Sequence, residues 1–193
     1  MLWSVEVGAA GDPYDEVIQA VWQVMADGGI DSVSMRRVAA AAGTSVGRIQ
    51  YRFGTKDELL RASLHAMLTG AADRHATATA DASDRDALWH LLRHPIARTS
   101  TARVGGALFH QYVAAAAGDA ALGDMLAEAK VGQETEVARL VGRICPAVRD
   151  RRTRARALVA AADGLAMRVL IGGLSASAAE RTLRAAVDRA LTP

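Results

Sequence analysis

Ser34-Met-Arg-Arg-Val-Ala-Ala-Ala-Ala-Gly43-Thr-Ser-Val-Gly-Arg-Ile-Gln-Tyr-Arg-Phe53 is the stretch that decides the fold. Ser34 is a helix-capping residue type, and Met35, Val38, Ala39 and Ala42 fall on one face of a short helix that Gly43 ends. Ser45 opens a second short helix that closes near Phe53-Gly54. Two helices crossing through a tight turn need a small residue at the crossing, a turn residue tolerant of positive φ, and an apolar side chain to lock the second helix. Ala39, Gly43 and Ile49 meet those needs in that order. The spacing predicts a helix-turn-helix whose core is shared by Val38 and Ile49.

A helix-turn-helix acts by laying its second helix in the major groove of DNA, with flanking groups on the phosphates. Arg48 matches the O6/N7 edge of guanine and Gln50 the N6/N7 edge of adenine, while Val46 suits a thymine methyl. Thr44, Ser45, Tyr51 and Lys56 stand at the ends of this helix and the start of the next, where phosphate contacts fix register. Arg36 adds charge, with Arg37 and Arg52.

Working outward, Asp12 can cap a first helix that begins at Pro13, carries Val17, Val21, Val24 and Met25 on its apolar face, and stops at Gly28-Gly29. Downstream, Thr55-Lys-Asp-Glu58 reads as a capping box launching a fourth helix with Leu59, Leu60, Leu64, Met67 and Leu68. Further helices are predicted at about 84–93, 101–117, 120–144, 151–172 and 177–191, separated by Pro95, Gly118-Asp119, Pro146 and Gly172-Gly173. A second capping box is expected at Ser177-x-x-Glu180. The fold class is all-α: a three-helix N-terminal domain with the helix-turn-helix, plus a helical C-terminal domain. The expected organisation is a flexible segment at 1–11, a DNA-binding domain at 12–60 and a body at 61–193.

Composition agrees. The 193 residues are 51% hydrophobic but only 4% aromatic, and Ala-rich runs favour helix over strand. A net charge of +2 says little until it is located. Residues 1–35 hold Glu6, Asp12, Asp15, Glu16, Asp27 and Asp31 without Lys or Arg, whereas 36–61 hold Arg36, Arg37, Arg48, Arg52, Lys56 and Arg61. The basic stripe begins with the helix-turn-helix. A single cysteine, Cys145, excludes an intrachain disulfide and the Cys-rich zinc arrangements. Neither a secretory leader nor a membrane-length apolar run is apparent, so a cytoplasmic protein without membrane attachment is expected.

Across Ser34–Gly47 and then Tyr51-Arg-Phe-Gly-Thr-Lys-Asp-Glu-Leu-Leu60 the chain resembles the tetracycline-repressor (TetR) family of regulators. The resemblance implies a three-helix DNA-binding head, a connecting fourth helix, and a divergent helical body that dimerises and binds a small-molecule inducer. It thus implies a homodimeric transcriptional repressor on a palindromic double-stranded operator, with no cofactor and no catalysis. Two departures stand out. Gln50 occupies a position where many members carry an aromatic, and no basic residue enters the first helix.

Dimer contacts are expected on the last two helices at Leu158, Leu165, Val169, Leu183, Val187 and Leu191, where apolar residues form more than one stripe. Candidates for a pocket suited to an apolar or amphipathic molecule are Met67, Trp89, Phe109, His110, Tyr112, Met125 and Met167. Gly105-Gly106 inside a predicted helix suggests close packing or a kink. Two rival readings follow from other clusters. Asp86, His90 and His94 recur at four-residue spacing, as metal ligands of a small enzyme or metal-binding protein could. Arg139, Arg143, Arg149, Arg151, Arg152, Arg154 and Arg156 form a denser basic cluster than the head, with no groove-reading motif.

Overall fold

The computed structural model describes residues 13–192, and no strand occurs among them. Its helices are α1 (Pro13–Gly28), α2 (Met35–Ala41), α3 (Val46–Phe53), α4 (Lys56–Ala78), α5 (Asp84–Arg93), α6 (Ser100–Ala115), α7 (Ala120–Ile144), α8 (Arg151–Leu170) and α9 (Ala176–Ala190), with a 3-10 turn at Ile30–Ser32. The segment 1–11 and the Asp12 cap lie outside the described residues. Two compact units emerge: one holds the described residues up to Ala71 together with Ala107–Leu126, and the other holds Ala72–Gly106 and the chain from Ala127 onward.

In the first unit, α1 buries Val17, Val21, Val24 and Met25, and Ile18 and Trp22 besides. Its apolar face is therefore wider than one stripe, and α2 packs against it. Ser32 holds the following turn by donating its hydroxyl to the carbonyls of Val24 (3.1 Å) and Gly29 (2.7 Å). Ser34 caps α2 by accepting from the Arg37 amide. Val38, Ala39, Ile49 and Phe53 are buried, so the crossing of α2 and α3 is filled as the spacing required. Residues Ala107–Leu126 add Leu108, Tyr112 and Leu122 to the buried set. The Tyr112 hydroxyl meets Ser63 Oγ at 2.6 Å, tying α6 to α4, and the Gln111 amide reaches the Met25 carbonyl at 3.4 Å.

The second unit has its own core. Leu88 and Leu92 of α5, Val137, Leu140 and Val141 of α7, Leu158, Val159, Ala162 and Val169 of α8, and Leu183 and Val187 of α9 form one buried cluster. Helix ends here are closed by arginines, which complement the negative C-terminal end of a helix. Arg103 donates to the carbonyls of Val169 (3.1 Å) and Leu170 (2.7 Å) at the end of α8. Arg154 does the same for Ala190 (2.9 Å) and Thr192 at the end of α9.

Three expectations are corrected. Leu158, Val169, Leu183, Val187 and Leu191 face this unit's own core and Leu165 is half-buried, because α8 and α9 pack on each other and on α5. The five buried residues are covered by this unit's own core, and Leu165 alone of the six retains exposed surface. The box at Ser177–Glu180 does not form: Ser175 caps α9 by accepting from the Ala178 amide, and Glu180 is drawn to Arg98 at 3.3 Å. Gly105 and Gly106 sit within an uninterrupted α6, and a Cβ at either would meet nothing within 4 Å, so close packing does not explain them.

Candidate nucleic-acid interface

The turn between α2 and α3 depends on Gly43, whose φ of 62° lies where a side chain is strained. Ser45 then caps α3, accepting from the Arg48 amide at 3.2 Å. With Ile49 and Phe53 turned inward, helical periodicity sends Tyr51 directly away from the core, flanked by Arg48 and Gln50. Tyr51 is 94% exposed, an unusual state for a tyrosine, and Val46 is 38% exposed. Gly54, at φ 71°, ends α3.

The next helix starts rigidly. Thr55 and Glu58 form the expected reciprocal box: the Thr55 amide donates to Glu58 Oε2 at 2.8 Å and the Glu58 amide donates to Thr55 Oγ1 at 3.2 Å. Hydrogen bonds from Thr55 hold the Glu58 carboxyl below the usual carboxylate range. This fixes Lys56, in the first turn of α4, beside the end of α3.

Structure sorts the basic stripe that sequence could only count. Arg37 donates to the Ser32 carbonyl (3.2 Å), Arg52 lies over the Tyr14 ring (4.8 Å), and Arg61 approaches Asp119 (4.0 Å). Among the described residues Arg36, Arg48, Gln50, Tyr51 and Lys56 have no hydrogen-bond or ion-pair partner for their side chains, and Thr44 and Val46 complete the same region. Ser45 is occupied as a cap, leaving its hydroxyl proton to donate. Two exposed arginines, an exposed amide and phenol, and a half-buried lysine along one short helix and its flanks can meet phosphates and base edges at once.

The seven pocket candidates are divided between the two units. Met67, Phe109, His110, Tyr112 and Met125 belong to the first unit, and Trp89 and Met167 to the second. Tyr112 is fully buried, its hydroxyl pushed up to about 12 by that burial, and its bond to Ser63 makes it a strut of the first unit. Trp89 is half-buried with Arg184 over its ring at 4.1 Å, and Met167 is 39% exposed. An open groove of about 410 Å³ in the second unit is lined by Arg154, Ala157, Leu158, Ala186, Arg189, Ala190 and Thr192, with none of the seven.

Nor does Asp86 join His90 and His94. Its carboxylate takes the Ser83 hydroxyl at 2.7 Å, and no group of three His, Cys, Asp or Glu able to hold a metal occurs among the described residues. Instead His90 Nδ1 meets His75 Nδ1 at 3.0 Å. Sequence reading missed that pair because its members lie on different helices, with a periodicity that links only residues of one helix.

The amino-terminal region matches the family described as bacterial regulatory proteins, tetR family, over residues 17–63. The HTH-type transcriptional regulator PksA of Bacillus subtilis is 32% identical over 59 residues, a match spanning 31% of this chain and 29% of that protein. A putative TetR-family regulator from Rhodococcus sp. shares the fold at a TM-score of 0.82 and 24% identity, covering 93% of this chain and 98% of that one. A TetR-family member from Streptomyces coelicolor A3 is 28% identical at a TM-score of 0.72, covering 91% and 98%. A putative regulator from Saccharomonospora viridis, solved in complex with choline, has a TM-score of 0.78 at 23% identity over 91% and 95%. Residues 17–63 thus match the reading head of the tetR family, and over nine-tenths of its length the chain shares the all-helical fold of solved TetR-family regulators.

Proposed function

We propose that this protein represses transcription as a homodimer bound to a palindromic operator, and that a small apolar or amphipathic molecule releases it. The observation that carries the reading is the outward side of α3, opposite Ile49 and Phe53, where Arg48, Gln50 and Tyr51 lack partners among the described residues. Arg48 and Gln50 read bases in the major groove. Arg36, Thr44, Ser45, Tyr51 and Lys56 hold the phosphates, and Val46 meets a thymine methyl. DNA places the protein in the cytoplasm, and no helix among the described residues is long and apolar enough to cross a membrane.

Two recognition helices one DNA turn apart require a two-fold partner. The apolar residues Leu158, Val169, Leu183 and Val187 are covered within the chain, so the proposed face is the outer side of α8. Ala160, Gly164, Met167 and Ile171 recur there at helical spacing and are exposed, Ile171 by 72%. Small residues at Ala160 and Gly164 admit a second helix closely, with Met167 and Ile171 as apolar anchors. The Saccharomonospora viridis neighbour was solved in complex with a small molecule, choline, and Met67, Phe109, His110 and Met125, all half-buried in the first unit, are the residues proposed to meet the effector here. The head at 12–60 and body at 61–193 are the proposed working parts. Effector binding shifts DNA affinity only by its preference between the two arrangements of the body.

The test is to sequence duplex fragments retained by the purified protein, with Ile171→Asp alongside. A palindromic consensus with half-sites about one turn, ~34 Å, apart is expected, and Ile171→Asp retains fragments far more weakly. A consensus without two-fold symmetry contradicts the dimeric reading.

A further inference from the structure

The helix-turn-helix carries three glycines between its turn and its end, and two of them have a reason inside the protein. Gly43 and Gly54 stand at φ 62° and 71°, where any side chain is strained. Gly47 has no such reason. It lies inside α3, is absent from the positive-φ glycines, is exposed, and a Cβ built on it meets nothing within 4 Å. Glycine within a helix is also the poorest choice short of proline, since it gives up the most backbone freedom on folding.

Its direction is informative. Ile49 is buried two residues later, and two helical steps turn the chain by roughly 200°, so residue 47 lies opposite the core. Tyr51, four residues on, shares that ridge and is 94% exposed. Arg48 and Gln50, without side-chain partners among the described residues, flank it on either side. The outermost ridge of α3 therefore carries a large aromatic at one end and no side chain at the other.

We infer that Gly47 is the point at which the backbone of α3 closes on the edges of the DNA bases, its missing side chain setting the depth from which Arg48 and Gln50 reach them. This rests on the reading that α3 enters the major groove. An alanine methyl at 47 stands between the helix and the bases, lifts α3, and lengthens every hydrogen bond made by its neighbours. The same methyl favours the helix when no DNA is present. Stability and affinity then move in opposite directions, which a residue retained for structural reasons does not produce.

The test compares Gly47→Ala and Arg48→Ala in the full-length protein, by thermal unfolding and by fluorescence anisotropy with duplex fragments that the wild type retains. For Gly47→Ala the unfolding midpoint is expected to rise by about 2–4 °C. Its affinity is expected to fall at least about tenfold, the equivalent of one good base pairing. Wild-type affinity of Gly47→Ala, beside a clear loss for Arg48→Ala, overturns the inference and leaves the groove reading standing. Wild-type affinity of both variants overturns the groove reading and the inference with it. A lowered unfolding midpoint for Gly47→Ala also overturns it, because glycine would then serve the fold.

Discussion

Two regions of this molecule are rich in arginine, and they use it in opposite ways. Along α3 and its flanks, Arg36, Arg48 and Lys56 have no partner among the described residues. At the corner joining α7 to α8 the arginines are more numerous and almost all engaged. Arg139 bonds Glu136 at 2.6 Å and holds that carboxyl below its usual range, Arg143 bonds Asp84 at 2.9 Å, and Arg156 approaches Glu134 at 3.3 Å. Arg151 donates to the carbonyls of Pro146 and Val148, and Arg154 to Asp150 and to the end of α9. Within the cluster Arg149 and Arg152 alone lack a side-chain partner among the described residues. Positive charge marks a nucleic-acid surface only where the fold has left it unneutralised. The sparser region is the one equipped to bind.

The largest effect that separates the two is at Arg154. Arg154→Met strips the carbonyls of Ala190 and Thr192 of a charged donor, and a loss of about 2 kcal/mol of stability is expected by urea denaturation, with DNA affinity unchanged. A fall in affinity at unchanged stability would move the corner to the DNA side of the comparison. A smaller effect concerns the second internally paired cluster, His75 with His90. Desolvation, then His75 and Arg93, hold the His90 pKa below its ordinary range, and His94 is lowered in the same direction, by desolvation first and then by Arg74. Glu136 faces His75, itself flanked by Arg139 and Arg143. Because the folded chain takes up these protons later than the unfolded chain, stability is full above about pH 6.5 and declines as pH falls through the window beneath it. Urea midpoints at several pH values check this: His90→Asn should flatten the decline, and an unchanged slope would remove His90 from the account.

Much of this was legible in the sequence where local rules suffice. The α5 and α7 limits, the Thr55–Glu58 box and the Ala39–Gly43–Ile49 constellation depend on neighbours within a few residues, and the structure reproduces them. What failed depends on partners far along the chain. Ser177 has capping chemistry equal to that of Ser175, but Glu180 is claimed by Arg98 from 82 positions away. The stripe at Leu158, Val169, Leu183 and Val187 was correctly read as apolar, yet apolarity does not say whether the chain itself or a partner covers it. The first compact unit joins Ala107–Leu126 to the head, a discontinuity that no boundary drawn along the sequence could express. The same limit governed charge, since counting arginines does not separate those the fold pairs from those it leaves without a partner.

The most direct test is therefore to neutralise each region in turn and measure affinity for a retained duplex across a range of salt. Arg36→Ala, Arg48→Ala and Lys56→Ala together should abolish specific binding and make log K less steep against log salt by about 0.9 for each DNA phosphate that the variant no longer neutralises. Arg149→Ala with Arg152→Ala should leave both affinity and slope as in the wild type. Loss of binding from the corner variant, or its retention by the head variant, would contradict the assignment of α3 as the reading surface.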